Sequence, residues 1–364
     1  MRIVVCGAGY AGVTLAKRLE GELPDAGIVL VDRDPDHLIQ HELHRVIRRP
    51  DLADAISLSL DSLFDRVEVR EATVEAVDRD ARVIHTSDGD IEYDYAAVCL
   101  GAETNYYGLP GVEEFSIPLK RLEHAEAIRA SVEGRSRVVV GGAGLSGVQV
   151  AGEIAAMDRE LSVVLLERFD SVAPNFPANF RAAVAEELGS RGVDVRTGTT
   201  VERATENAVE TADGSIPYDT FVWTGGIRGP SAFGGERPGV RSDLRLDSRT
   251  FVVGDTARVI DDDGEPVPAS AQAAIREARV VAKSLAALVG GGSGGFSPRP
   301  ERFSFDSPGW LVSIGDGAVA QVGPTVLRGR AALALKASVG AGYLSSIGAV
   351  RDAVELVNEE LRAD

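Results

Sequence analysis

One pattern constrains this chain more than any other, and it occurs twice. An apolar run, Ile3-Val4-Val5-Cys6, leads into Gly7-Ala8-Gly9-Tyr10-Ala11-Gly12, after which Val13, Leu15, Ala16 and Leu19 mark one face of a helix. A second apolar run, Ile28-Val29-Leu30-Val31, ends on Asp32. The same order returns 135 residues on. Val138-Val139-Val140 leads into Gly142-Ala143-Gly144-Leu145-Ser146-Gly147 and a helix marked by Val148, Ala151, Ile154 and Ala155; then Val163-Val164-Leu165-Leu166 ends on Glu167. In each copy 20 residues separate the third glycine from the acid (12 to 32, 147 to 167). A single glycine-rich turn says little. Two copies in the same context, with the acid at the same offset, say a great deal.

Each glycine in such a turn has a task. The first makes the tight turn, the second lets backbone approach a pyrophosphate, and the third lets helix and strand pack closely, while the helix N-terminus faces the phosphate charge. The acid ends a strand about 20 residues later and takes a ribose hydroxyl. The chain therefore reads as two dinucleotide-binding units. Glu167 also selects: a carboxylate there repels a 2′-phosphate and favours NADH over NADPH, although Arg168 stands beside it.

The rest of each half repeats too. Short strands are expected over residues 67–100, with a turn at Asp88-Gly89-Asp90 and a closing run Tyr95 to Gly101; the second half answers with Val193 through Ala212-Asp213-Gly214 to Phe221-Val222-Trp223-Thr224-Gly225-Gly226. Phe251-Val252-Val253-Gly254-Asp255 then returns the chain to the first half, and Pro268 and Ser270 start a helix that Gly290 stops. A glycine-rich linker over residues 290–295 precedes a smaller unit. The fold class is α/β, with two Rossmann-type units and a small C-terminal α+β unit. Its expected boundaries are 1–106 with 229–292, 107–228, and 296–364.

Charge excludes more than it assigns. A formal net charge of −18 repels nucleic acid. Only four lysines (Lys17, Lys120, Lys283, Lys336) stand among 38 basic residues, and the spread of carboxylates suits concentrated salt, a halophile's surface. The chain opens directly on a strand and has no apolar run of the ~18 residues a spanning helix needs, so a cytoplasmic location is expected. Cys6 and Cys99 lie in separate apolar runs with no Cys-x-x-Cys, which reads as buried structural cysteine without a redox dithiol or a metal. His37, His41 and His44 would share a face if helical, but no motif supports a metal there, and solvated or cofactor-adjacent histidines are expected. Asp261-Asp262-Asp263-Gly264-Glu265 lacks the alternating spacing of an ion-binding loop and reads as a surface turn.

Together these motifs resemble the two-dinucleotide flavoproteins, and within them the type II NADH dehydrogenases, single-chain NADH:quinone oxidoreductases. The resemblance implies FAD on Gly7, Gly9, Tyr10, Ala11, Gly12, Asp32, Arg33, Val74, Gly101, Ala102, Gly254, Asp255, Ala271 and Gln272. It implies NADH on Gly142, Gly144, Leu145, Ser146, Gln149, Glu167, Gly225 and Gly226. Thus the discontinuous unit would hold FAD and the central one NADH. Two departures stand out: Gln149 where the family has a glutamate meeting the nicotinamide amide, and Arg276 where it has the last glutamine of Ala-Gln-x-Ala-x-Gln at the quinone pocket.

Hydride transfer between the cofactors needs no side-chain acid. Quinone reduction does need protons, and Glu153, Gln272 and Lys336 are the candidate catalytic residues for that route, although Glu153 reads equally well as a helix-surface charge. The segment Ala331 to Val350, whose only charge is Lys336, is expected to rest against the inner face of the cell membrane as a peripheral contact. A homodimer is compatible with the sequence. Sulfide:quinone chemistry is disfavoured for want of a cysteine pair near the flavin. The alternative enzyme is a soluble NADH-dependent flavoprotein reductase that passes electrons to a protein carrier or to oxygen. The non-enzymatic reading is an NADH-responsive flavoprotein acting by shape change.

Overall fold

The apolar runs are buried on both faces, as parallel strands covered by helices must be. The computed structural model describes residues 1–132, 136–290 and 299–361. Residues 291–298, and with them most of the expected glycine-rich linker, lie outside the described residues. In the first sheet the order is Thr250–Val252, Tyr95–Val98, Arg2–Cys6, Gly27–Asp32 and Glu68–Glu71, all parallel. The second runs Ile117–Pro118, Thr220–Trp223, Ser136–Gly141, Leu161–Leu166 and Asp194–Arg196, again all parallel. The two match strand for strand.

The duplication reaches single hydrogen bonds. Gly7 N–H donates to Val31 O at 2.7 Å, and Gly142 N–H to Leu166 O at 2.8 Å. Asp94 and Asp219, which open the two closing strands, accept Arg2 N–H at 2.7 Å and Arg137 N–H at 2.8 Å. Each half also carries a three-stranded antiparallel insert, Val74–Asp78 with Val83–Thr86 and Gly89–Glu92, and Val201–Thr205 with Ala208–Thr211 and Gly214–Pro217. The chain crosses between halves on a two-stranded antiparallel ribbon, Glu103–Thr104 against Ile227–Arg228, closed by a Glu103–Arg228 ion pair at 2.9 Å.

Helix Ala271–Gly290 packs along helix Tyr10–Glu22. Its start is where the sequence put it: Ser270 Oγ accepts the Ala273 N–H at 3.2 Å, satisfying one of the free donors of the first turn. The C-terminal unit is a three-stranded meander, Gly309–Ile314, Gly317–Val322 and Thr325–Arg328, followed by helices Gly329–Ser346 and Val350–Leu361. It sits on helix Leu145–Ala155, where a Cβ at Gly152 would come within 2.7 Å of Ile314 Cγ2. No helix among the described residues is long and apolar enough to cross a membrane.

Three expectations need correction. The three histidines do not share a helix: His37 lies in strand Asp36–Leu38, His41 in a 3-10 turn and His44 in the helical turn Leu43–Val46. Two of them, His37 and His44, are buried rather than solvated; the His37 ring is met by the Ala8 carbonyl and the Tyr343 hydroxyl. The segment 261–265 is the surface turn expected, with residues 262–265 exposed, except that the Asp261 carboxylate turns inward to accept N–H groups of Asp263, Glu265 and Phe305 at 3.0–3.1 Å, pinning the loop to the C-terminal segment. Lys336, the single charge of the segment expected to face a bilayer, is buried and points at Glu42 instead.

Candidate active site

The two fingerprints solve one steric problem twice. A Cβ on Gly12 would collide with the carbonyl of Gly7, and one on Gly147 with the carbonyl of Gly142. Gly7 and Gly142 hold φ of +100° and +94°, a region that side chains disfavour. By contrast a Cβ on Gly9 or Gly144 would meet nothing within 4 Å. The outer glycines are thus required by protein packing, whereas the middle ones border open space. That space lies at the N-termini of helices Tyr10–Glu22 and Leu145–Ala155, neither of which has a side-chain cap. Uncapped N–H groups at a helix start, with room for an anion, fit a pyrophosphate.

The acids close the same turns. Asp32 Oδ2 accepts the Ala8 N–H at 2.5 Å and Oδ1 accepts the Asp34 N–H at 3.0 Å. Glu167 Oε2 accepts the Ala143 N–H at 2.8 Å and Oε1 the Phe169 N–H at 3.0 Å. Each carboxylate bonds the residue between the first two glycines, and each oxygen keeps lone-pair capacity for a ribose hydroxyl. Burial pushes the Asp32 carboxyl above its ordinary range, against the pull of those N–H groups. Arg33 is exposed and reaches Asp34, while Arg168 lies over the Phe169 ring at 4.6 Å.

Around the first unit the remaining positions converge. Gly254 (φ +70°) stands between the helices at Ala274 and Ala11, and its N–H donates to Glu277 Oε2 at 2.6 Å. Asp255 follows, raised by burial and lowered in turn by Lys120 and Arg237. Arg237 fixes this turn by donating to the carbonyls of Asp255 and Ala257 at 2.7 and 2.6 Å. Gly101 (φ +68°) and Ala102 are half-buried after the closing strand, Val74 is buried at the start of the insert, and Ala271 and Gln272 are half-buried at the helix start. Gln272 Oε1 accepts the Ser307 hydroxyl at 3.2 Å, joining that helix to the C-terminal unit.

In the second unit Thr224 donates its hydroxyl to the Gly141 and Gly142 carbonyls at 3.0 and 2.9 Å. Gly225 and Gly226 are set by packing: a Cβ on Gly142 would come within 2.6 Å of Gly225 Cα, and one on Gly226 would strike the Tyr107 hydroxyl. Leu145, Ser146 and Gln149 are half-buried or exposed along the mouth of the turn. Glu153 is not a helix-surface charge. It is fully buried, its Oε2 accepts Arg48 Nε at 2.8 Å, and Arg48 reaches on to Asp316 at 2.7 Å. Burial raises the Glu153 carboxyl, and the arginines Arg48, Arg49 and Arg45 offset that. Lys336 Nζ lies 2.8 Å from Glu42 Oε2.

Sequence reasoning passed over Glu42, Lys120, Tyr343 and Glu277, and it set the histidines aside. None belongs to a local motif. Their signal was only an ionisable residue at an apolar position of a periodic segment, as with Glu277 among Ala273, Ala274, Ala278 and Val281. The cysteines are free, buried and raised, Cys6 to about 12, because burial disfavours a thiolate.

Residues 1–278 match the pyridine nucleotide-disulphide oxidoreductase family, and the chain belongs to it. It is an α/β oxidoreductase of that family; its two cysteines, Cys6 at the end of strand Arg2–Cys6 and Cys99 just after strand Tyr95–Val98, are free and buried. Within the family it is similar to the type II NADH:quinone oxidoreductase of Staphylococcus aureus (strain MSSA476), 25% identical over 96% of each chain. The protein of that name from Staphylococcus haemolyticus is 25% identical over 80% of this chain and 83% of its own. In fold, NDH2 from Plasmodium falciparum, solved in complex with NADH, superposes with a TM-score of 0.85 at 14% identity, covering 99% and 98% of the two chains. The sulfide:quinone oxidoreductase of Aquifex aeolicus superposes with a TM-score of 0.78 at 19% identity, covering 96% and 92%.

Proposed function

We propose that the chain is an FAD-dependent NADH:quinone oxidoreductase of type II, with FAD in the discontinuous unit and NADH in the central one. The observation that carries this reading is the doubled cradle: two uncapped helix N-termini, each with an open middle glycine and an acid tied to the same turn. The relatives that cover nearly the whole chain carry that activity in their names. Bound FAD would accept the hydride of NADH and hand on two electrons. Gly7, Gly9, Tyr10, Ala11 and Gly12 with Gly254 and Asp255 would hold its pyrophosphate and ribityl chain, Asp32 and Arg33 its adenosine ribose, and Val74, Gly101 and Ala102 its flanks. Ala271 and Gln272 would present a helix N-terminus, whose positive end favours negative charge on the cofactor. Gly142, Gly144, Leu145, Ser146 and Gln149, with Gly225 and Gly226, would seat NADH, and Glu167 would exclude a 2′-phosphate.

The acceptor side lies between Gln272 and the C-terminal unit. There Arg276 donates to the Asp306 carbonyl and lies 5.9 Å from the Phe305 ring centre. A guanidinium so placed would put a fixed positive charge one turn from Gln272, which supports the second reading, a reductase for a protein carrier or for oxygen. Peripheral membrane contact would fall to the C-terminal helices, where Val339, Val350 and Val354 are exposed. The acid-rich surface supports a saline habitat. The deciding experiment compares NADH oxidation with menadione, ferricyanide and oxygen. Menadione turnover at least as fast as oxygen turnover supports the quinone; oxygen or carrier turnover with none on menadione replaces it with the second reading.

A further inference from the structure

Two aromatic rings clasp the Gly225-Gly226 turn, and they are held very differently. A Cβ on Gly225 would strike the Trp223 ring and one on Gly226 the Tyr107 ring, so each glycine is the imprint of one aromatic. Trp223 is buried and locked, its Nε1–H donating to the Asn105 carbonyl at 2.8 Å. Tyr107 is 53% exposed, and its hydroxyl reaches the Gly225 carbonyl only at 3.4 Å, beyond the ~3.0 Å within which hydroxyl bonds are strong. An exposed ring held by so weak a bond covers the backbone of Gly226 without being built into the core.

The backbone beneath Tyr107 is unusual as well. The Leu109 N–H donates to the Tyr106 carbonyl at 3.0 Å and closes a four-residue turn. Both inner residues of that turn are left-handed, Tyr107 at φ +55° and Gly108 at +66°. Glycine and asparagine fill such positions because a Cβ crowds the backbone there, and a tyrosine stays in one only where its surroundings fix it. Asn105 does the fixing: its Oδ1 accepts the Tyr107 N–H at 2.8 Å, and its own N–H donates to the Gly226 carbonyl at 3.0 Å. The backbone of Tyr107 is thus tied to the glycine turn while its side chain is not. Strain kept in an anchored turn that carries a weakly held ring belongs to ligand rims more than to cores.

Its place decides what the ring does. Gly225 abuts Gly142, the first glycine of the second fingerprint, and Asn105 and Gly226 continue directly from the two strands of the crossover ribbon between the units. A nucleotide with its phosphates in the second cradle must send its nicotinamide past this rim to meet a flavin in the first unit. We propose that Tyr107 is a gate on the nicotinamide end of the NADH site: its ring covers Gly226 while the site is empty and is displaced when NADH or NAD⁺ binds. This rests on the reading that the central unit takes NADH. Because the ring competes with both forms of the nucleotide, its return hastens release of NAD⁺ once the hydride has left. Trp223 stays in place and keeps the glycine turn in shape as Tyr107 moves.

The test titrates the FAD-loaded protein by calorimetry with two ligands that differ only in the nicotinamide. NAD⁺ carries it; ADP-ribose has the same adenosine, pyrophosphate and second ribose without it. Tyr107→Ala should bind NAD⁺ about 5-fold more tightly, the gain from no longer uncovering roughly 40 Å² of apolar surface, and bind ADP-ribose as wild type does. Tyr107→Phe keeps the ring and should match wild type with both ligands. During turnover, NAD⁺ should inhibit Tyr107→Ala correspondingly more strongly. Affinities for NAD⁺ and ADP-ribose that move together, NAD⁺ binding that is unchanged or weakened in Tyr107→Ala, or a Tyr107→Phe that behaves like Tyr107→Ala would overturn the gate. If wild type binds neither ligand and NADH does not bleach its flavin, the NADH reading itself falls, and the gate with it.

Discussion

The two nucleotide units are near copies in their turns and opposites in their surroundings. Around the first fingerprint, Tyr10 is covered by Tyr343, His37 and His41, and the returning Gly254 turn closes a second side. Around the second, Ser146 is exposed and Phe169 stands 47% exposed beside Glu167. One cradle is roofed by the C-terminal unit and by a strand from elsewhere in the chain; the other opens to solvent. The contrast teaches which nucleotide stays. A roofed site suits a resident cofactor and an open one suits a co-substrate that leaves each turnover, although one turn chemistry serves both.

The sharpest way to break this comparison is to add one methyl group at a packing glycine of the roofed unit and at the open glycine of the other. Gly12→Ala drives a Cβ into the Gly7 carbonyl, and overpacking of this kind costs about 1–3 kcal/mol or more. We expect flavin-free, destabilised protein, read from absorbance and thermal melting. Gly144→Ala meets only the ligand space; it should raise the KM for NADH at least ~10-fold, the equivalent of 1.4 kcal/mol, with melting and flavin content unchanged. If Gly144→Ala also strips the flavin, the division of labour between the units is wrong.

Next in size is the acid below pH 7. The fold lowers His37 from 6.5 to about 4, chiefly by burial. Its contribution is therefore complete above the unfolded value near 6.5 and is lost as pH falls toward 4, about 3 kcal/mol in all. Urea midpoints between pH 7 and 4 should fall accordingly, and His37→Asn should flatten that part of the curve.

Glu277 has the opposite sign. Burial raises it to about 7, so its contribution is complete below 4.5 and is lost as pH rises through 7. Bound pyrophosphate beside the Gly254 turn would raise it further. FAD affinity of the cofactor-stripped protein should drop several-fold, up to ~10-fold per pH unit, between pH 6 and 8. Titration of FAD into Glu277→Gln should show a flatter dependence. The smallest expected effect is on selection in the open unit: Glu167→Ala should narrow the preference for NADH over NADPH about 10-fold, since Arg168 is then free to meet a 2′-phosphate.

How much of this was legible follows from distance along the chain. Strand, turn, helix and acid sit within 35 residues of one another, and their periodicities and glycines specify them locally, so both cradles, the inserts and the helix start at Ser270 could be read directly. The roof could not. Glu42 meets Lys336 across 294 residues and His37 meets Tyr343 across 306. Only packing reveals that a histidine three residues from another belongs to a different element, or that the single lysine of an apolar helix faces inward. Glu153 shows the same limit, because its burial depends on Arg48 and Asp316 arriving from two other segments.

The central claim is that electrons enter at the open unit, rest at the roofed one and leave toward a quinone. Anaerobic stopped-flow absorbance tests it in one instrument. NADH should bleach a tightly held flavin that denaturation releases as FAD, NADPH should bleach it more slowly, and menadione should then restore the colour without NADH. A chain that purifies without flavin and cannot be reconstituted with FAD, that releases FMN, or that stays bleached when menadione is added would contradict the account.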